Sequence, residues 1–268
     1  MGGMGAVVAK AILQSGADVI AIDREAEAKA SHKEDLERAA ESNGTMVAYY
    51  QCDISNLEST YAVFEDAVSA ARYPLRGLVN CAAIGWVGPS INFPVEDAKR
   101  IIEVNLVGTL ICAQAAAQLV RQHGFSASFV FIASMSGYVV NKGTPNAAYA
   151  ASKAGVHQLT RNLASEWGHS KDGAPSIRVN SISPGVIRTP MTASVLSNSN
   201  FEQLWTEETM LKRLSAPEDY RGPIVFLLSD ASSAELETVV GADAKFDSQP
   251  IGKDSECQDM FMRGEGVT

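Results

Sequence analysis

Five short apolar runs constrain this chain more than any other feature. They are "ADVIAID" (17–23), "MVAYYQCD" (46–53), "RGLVNCAA" (76–83), "ASFVFIASMSG" (127–137) and "SIRVNSISPG" (176–185). Each is bounded by polar or turn-forming residues, and a continuous apolar run of this length suits a strand buried on both faces. Between them lie stretches of helical character. Gly3 to Ser15 carries Val7, Val8, Ile12 and Leu13, and Glu25 to Ser42 is charged and rich in Ala. "NLESTYAVFEDAVSAA" (56–71), Val95 to His123 and "AAYAASKAGVHQLTRNLASEWG" (147–168) complete the set. Alternation of this kind predicts an α/β fold, a parallel sheet covered by helices on both faces. Right-handed crossovers make such a sheet doubly wound.

With 268 residues and 46% apolar side chains the chain can bury one large domain. That domain is expected over residues 1–248, with a divergent, flexible tail over 249–268 where Gly and charged residues accumulate. A net charge of −9 argues against nucleic acid as a partner. It leaves room for a nucleotide cofactor, because backbone N–H groups at a helix N-terminus hold phosphates without basic side chains. Cys52, Cys81, Cys112 and Cys257 form no CxxC pair, which suits a reduced, cytoplasmic compartment. The four His show no ligand spacing, so no metal site is expected. The run from Leu106 to Val120 is too short and too polar to span a bilayer. No signal peptide is visible, and "MGGMGA" places Ala6 where an N-myristoylation signal needs Ser or Thr.

The chemistry concentrates in Tyr149-Ala-Ala-Ser-Lys153. Residues four apart on a helix share a face, so a phenol and an ammonium project side by side. A neighbouring cation favours the phenolate, and Tyr149 then serves as an acid or base toward an alcohol or ketone oxygen. Ser134, fifteen residues earlier, lies at the end of an apolar strand, where ligands bind in open α/β sheets. Its hydroxyl can hold the reacting oxygen; Ser136 is the second choice. Asn105 sits in an otherwise apolar helix, either as a satisfied structural amide or as an orienter of Lys153 through a water.

These residues together resemble the short-chain dehydrogenase/reductase family, from Gly3 to about Ala242. Gly3-Met4-Gly5 is similar to the second half of the family's TGxxxGxG turn, and Asn80-Cys81-Ala82-Ala83 to its NNAG segment. Asn105, Ser134, Tyr149 and Lys153 fall where its catalytic tetrad falls. Pro184, Gly185, Ile187 and Thr189 match the segment that holds the nicotinamide, and residues 213–233 resemble its last helix. The resemblance implies a Rossmann-like fold and a homo-oligomer, dimer or tetramer. It also implies hydride transfer at C4 of a nicotinamide with Tyr149 as the acid/base. Lys153 would lower the Tyr149 pKa and bind ribose, Ser134 would hold the substrate oxygen, and Asn105 would complete a proton relay.

Asp23, eighteen residues after Gly5, can accept hydrogen bonds from the adenosine ribose and repel a 2′-phosphate. NAD is therefore expected, with NADP possible because Arg24 is adjacent; the alternative is that Asp23 caps the next helix. Asp53 and Ile54 resemble the family's adenine contacts. Residues 133–149 are similar to its fungal-type polyol dehydrogenases and ketose reductases, which suggests a small-molecule polyol/ketose pair. The loop 191–205 is expected to cover the substrate, its Ser, Thr and Asn residues suiting a hydroxylated one and Phe201 and Trp205 closing an apolar wall. A 3-oxoacyl or secondary-metabolite ketone is the enzymatic alternative; a catalytically impaired relic with weak cofactor binding is the alternative of another class.

Three departures from the family pattern stand out. Ala83 replaces a Gly. In the last strand segment, residues 239–250, Gly241 and Asp243 fit, but Lys245, Ser248 and Gln249 do not, which weakens the subunit contact. The strand that should feed Gly3 would lie upstream of Met1, so the family's first strand is expected to be missing. A chain so shortened is expected to be poorly stable and to bind NAD weakly, and one extended upstream by roughly 15–20 residues to bind and turn over.

Overall fold

A computed structural model of the chain describes residues 2–141, 143–170, 173–197, 199–235 and 239–241. The tail 249–268 and the divergent Asp243, Lys245, Ser248 and Gln249 lie outside the described residues. The strands are β1 (Val19–Asp23), β2 (Val47–Gln51), β3 (Gly77–Asn80), β4 (Ala127–Ile132), β5 (Ile177–Ser183) and β6 (Val239–Gly241). Helices α1 (Gly3–Gln14), α2 (Ala30–Asn43), α3 (Leu57–Ser69), α4 (Val95–Ile102), α5 (Gly108–His123) and α6 (Ala147–Trp167) alternate with them. Helices α7 (Ala193–Leu196), α8 (Ser199–Glu208) and α9 (Arg221–Leu228) follow β5.

All pairings are parallel, and the order is β2–β1 in one piece and β3–β4–β5–β6 in the other. The continuous apolar character of β4 has a direct cause. Phe129 and Phe131 point into a cluster built with Ala113, Ala116 and Val120 of α5 and Val156 and Leu163 of α6. Val130, between them, points the other way, against Val8 of α1 and Ile224 and Leu227 of α9. Period-two alternation sends one strand's side chains into two apolar layers, so five of its six positions are apolar, and the sixth, Ser128, buries its hydroxyl by donating to the Leu227 carbonyl at 2.6 Å. Four small residues of α5, Ala113, Ala115, Ala116 and Ala117, are all buried and let that helix approach closely.

The structure departs from the sequence expectation in several places. β1 reads as a buried strand, yet only Ala21 in it is buried. The reason is its pairing: among the described residues β1 is bonded to β2 alone and β3 to β4 alone. Every residue of both lines a cavity of about 1180 Å³. Among the described residues the sheet is therefore split between β1 and β3. Residues 24–29 precede α2 as bends and loop, so the helix expected from Glu25 starts five residues later. The helix expected over 95–123 is broken by a turn of π-helix at Glu103–Val107. Val95–His123 is nonetheless long and apolar enough to cross a membrane by length and composition, and 61% of its most apolar window is buried inside the protein. The loop expected over 191–205 is largely helical, as α7 and the start of α8, with Phe201 and Trp205 buried.

Candidate active site

The C-terminal ends of β1, β3 and β4 open onto the long cavity, and α6 brings Tyr149 and Lys153 to its wall. Lys153 is 2% exposed. Its Nζ donates to the Ile132 carbonyl at 2.7 Å and lies 5.8 Å from the centre of the Tyr149 ring. Burial brings the Lys153 pKa down to about 8. The Tyr149 phenol moves up, driven by burial and opposed by a hydrogen bond with Ser134. The ammonium expected from the four-residue spacing to lower the phenol is not among the causes of this shift; burial is the largest and favours the neutral phenol. Gly85 faces the ring so closely that a Cβ there would lie 2.7 Å from Tyr149 Cδ2.

Ser134 follows β4 by two residues, in extended backbone, and is buried. Its Oγ accepts from the Ser136 N–H at 3.1 Å and donates to Ser136 Oγ at 3.2 Å, and Ser136 Oγ accepts from Asn141 Nδ2 at 2.8 Å. Ser136, the second choice from sequence, thus supports Ser134 rather than replacing it at the cavity wall. Asn105 occupies the π-helical turn, is fully buried and does not line the cavity. Its carboxamide pairs with both main-chain groups of Ile84, each at 2.8 Å, and donates to Ser152 Oγ at 3.0 Å. Ser152 Oγ in turn donates to the Tyr149 carbonyl at 2.7 Å. Asn105 therefore ties the start of α6 to the chain beyond β3, and its side chain makes no direct bond to Lys153.

Gly3, Met4 and Gly5 bring the N-terminus of α1 to the same cavity. Gly2 caps α1 with no side-chain hydrogen bond, so the first-turn N–H groups have no side-chain partner and suit an anion. Asp23 and Arg24 lie at the end of β1, and Asp53, Ile54, Asn80, Ala82, Pro184, Gly185, Ile187 and Thr189 complete the wall. Asp23 does not cap α2, whose N-cap is Lys29; its carboxylate accepts from the Glu25 N–H at 3.1 Å. Arg24 pairs with Glu25 at 3.1 Å. Burial would raise the Asp53 pKa, but hydrogen bonds from Ser55 and Arg100 outweigh it and hold the carboxyl below its usual range. The Arg100 contact is 2.6 Å. Asn80 Oδ1 accepts from the Ala82 N–H at 3.1 Å and fixes the turn after β3.

Sequence reasoning missed Gly85, Arg100, Ser152 and His157. Ser152 lies inside the Tyr149–Lys153 motif and is legible there. Gly85, Arg100 and His157 meet Tyr149, Asp53 and Ser134, which lie 64, 47 and 23 residues away in the chain.

A family model described as enoyl-(acyl carrier protein) reductase matches residues 1–244. A relative described as a short chain dehydrogenases/reductase, from Aspergillus versicolor, is 42% identical, the alignment covering 92% of this chain and 82% of the relative. An NADH-dependent L-xylulose reductase from Ambrosiozyma monospora is 33% identical over 87% of this chain and 86% of its own. Among solved structures, an NADPH-dependent 3-quinuclidinone reductase from Rhodotorula rubra superposes with a TM-score of 0.80 at 29% identity. That match covers 91% of this chain and 87% of the other.

Proposed function

The chain belongs to the short-chain dehydrogenase/reductase family, and from that premise we propose that it interconverts a ketose and a polyol with NAD as the preferred cofactor. As a member it is an NAD(P)-dependent oxidoreductase acting on CH–OH groups. One observation carries the reading of the site. Ser134 and Tyr149 line the same cavity wall with Lys153 behind the Tyr149 ring, so the hydroxyl and the phenol can reach one substrate oxygen. Two hydroxyls converging on one oxygen suit carbonyl chemistry better than reduction of a carbon–carbon double bond, despite the description of the family model.

The residues present fit a dinucleotide. The N-terminus of α1 would hold the pyrophosphate, Asp23 the adenosine ribose, and Asp53 with Ile54 the adenine. When bound, the nicotinamide supplies or takes the hydride. The chain's own residues handle the proton. Tyr149, kept protonated by burial, donates it to the ketone oxygen in reduction and takes it back in oxidation. Ser134 donates a hydrogen bond to the same oxygen and aligns it. Lys153 sits beneath the ring as the cation that favours the transient phenolate. Asn105, through Ser152, holds Tyr149 at its place on α6.

Preference for NAD is supported by the Asp23 carboxylate and by the pairing of Arg24 with Glu25, which diverts the nearest cation from a 2′-phosphate. A hydroxylated substrate is supported by the L-xylulose reductase among the relatives. The test is a screen of ketoses with NADH and NADPH and of polyols with NAD and NADP, run beside 3-oxoacyl thioesters. Turnover of a five- or six-carbon ketose, faster with NADH, is the expected result. Turnover confined to the thioesters would replace this reading with the 3-oxoacyl one.

A further inference from the structure

Helix α6 repeats its four-residue step once more beyond Lys153, and the next residue on that face is His157. It is 2% exposed. Its Nε2 lies 3.1 Å from the Ser134 carbonyl oxygen and 3.4 Å from Ser183 Oγ, so one ring nitrogen meets the ends of both β4 and β5. The loop after Ser134 wraps the ring. Tyr138 stacks on the imidazole with centroids 3.8 Å apart and planes 28° apart. A Cβ at Gly137 would lie 2.7 Å from His157 Cδ2 and 2.8 Å from the Ala154 main-chain nitrogen, so only glycine lets the loop close over the ring.

The geometry assigns His157 as a positioning residue that fixes Ser134 for catalysis. The inference rests on the proposed role of Ser134. The Ser134 carbonyl can only accept, so Nε2 carries the proton and donates it. Nδ1 is then a bare acceptor, and it is buried with no partner among the described residues. The ring is held as the neutral Nε2–H tautomer, which agrees with burial and the nearby Arg161 and Lys153 cations disfavouring its protonation. The main chain on either side of Ser134 is tied to β5 and the segment after it, through the Ala133 N–H to the Ile182 carbonyl at 2.8 Å and the Met135 N–H to the Pro184 carbonyl at 3.0 Å, and the imidazole is the tie from α6. The Ser134 carbonyl also accepts from the Gly137 N–H at 3.0 Å, so loss of the imidazole donor removes the bond that ties it to α6 and lets the turn shift. A displacement on the order of 1 Å at a reacting group costs up to about a hundredfold in rate.

The test is a double-mutant cycle on the full chain with NADH and L-xylulose. His157→Leu, His157→Gln, Ser134→Ala and the Ser134→Ala/His157→Leu pair are compared by kcat, KM, NADH affinity and melting temperature. His157→Leu is expected to lower kcat by about ten- to a hundredfold with NADH affinity unchanged. The same change should do almost nothing in the Ser134→Ala background, because coupled residues are non-additive. His157→Gln, which keeps an N–H donor, should recover most of the rate. An equal loss in both backgrounds, or a kcat within about twofold of wild type, overturns the assignment. Ser134→Ala with no loss of rate instead overturns the reading of the site on which it rests. Nitrogen-15 NMR of the wild-type ring is a check independent of how the variants fold. A proton on Nδ1 rather than Nε2 would equally overturn the assignment.

Discussion

Strands β1 and β4 both read as apolar runs, yet the protein treats them differently. In β4, Phe129, Val130 and Phe131 are wholly inaccessible, while in β1 only Ala21 is buried. The difference lies in the neighbours rather than the residues. β4 is paired on both edges, by β3 and β5, and packed on both faces. β1 is paired by β2 alone among the described residues, and its other edge gives onto the cavity. The half of the molecule that carries Ser134, Tyr149 and Lys153 thus rests on a closed core, and the half that carries Asp23 on an open edge. Catalytic groups need tight placement; a residue that reads a ribose tolerates more freedom.

The largest effect should fall in the closed half. Tyr149→Phe removes the ionisable oxygen and keeps the ring, so kcat should fall about 10²- to 10⁴-fold while NADH still binds. Retention of more than about a tenth of the wild-type rate would remove Tyr149 from the acid/base role. Stability should show the same asymmetry. Ile177→Ala, in a fully buried position, should cost about 2–5 kcal/mol. Ile20→Ala, on the open edge, should cost about 1 kcal/mol or less, as little area leaves water there. Denaturant melts of the two variants compare them directly, and equal losses would mean that β1 is closed in solution. Hydrogen exchange gives the backbone version of this contrast. The Val19 N–H donates to Met46, so the alternating Ile20 and Ile22 amides lie on the edge away from β2. They should exchange far faster than those of Val130 and Val179.

A smaller change is expected from Asp23→Ser, which removes the negative charge at the end of β1. It should shift the ratio of kcat/KM for NADH over NADPH toward NADPH by about tenfold, roughly 1.4 kcal/mol. A wild type that already prefers NADPH would overturn the NAD assignment. The smallest effect is one of pH. Burial sets the Lys153 pKa at about 8, below its unfolded value, so the ammonium loses its proton as pH rises through about 8 and the rate should decline. Between that pH and about 10.4 the unfolded chain binds the extra proton, so this lysine's contribution to stability rises with pH over the same window. Activity that falls while Lys153 adds to stability separates the site from the fold. Lys153→Arg, which stays charged, should remove this basic limb from whatever activity it retains.

Much of this was legible in the sequence. The alternation of apolar runs and helices implied the parallel order, and the Tyr149–Lys153 spacing implied the shared face, because helical period and strand alternation are local properties of the chain. The glycines of the first turn of α1 and the carboxylate ending β1 were legible for the same reason. What the sequence alone could not decide was everything that depends on a distant partner. The π-helical turn that commits Asn105 to Ile84 and Ser152, the ion pair of Asp53 with Arg100, and the imidazole beneath Ser134 all join residues far apart in the chain. The direction of the Tyr149 shift belongs to the same class. Spacing placed a cation beside the phenol and predicted a lowered pKa. Burial, however, comes from the whole tertiary structure, and the cost of stripping water from a phenolate raises the pKa instead.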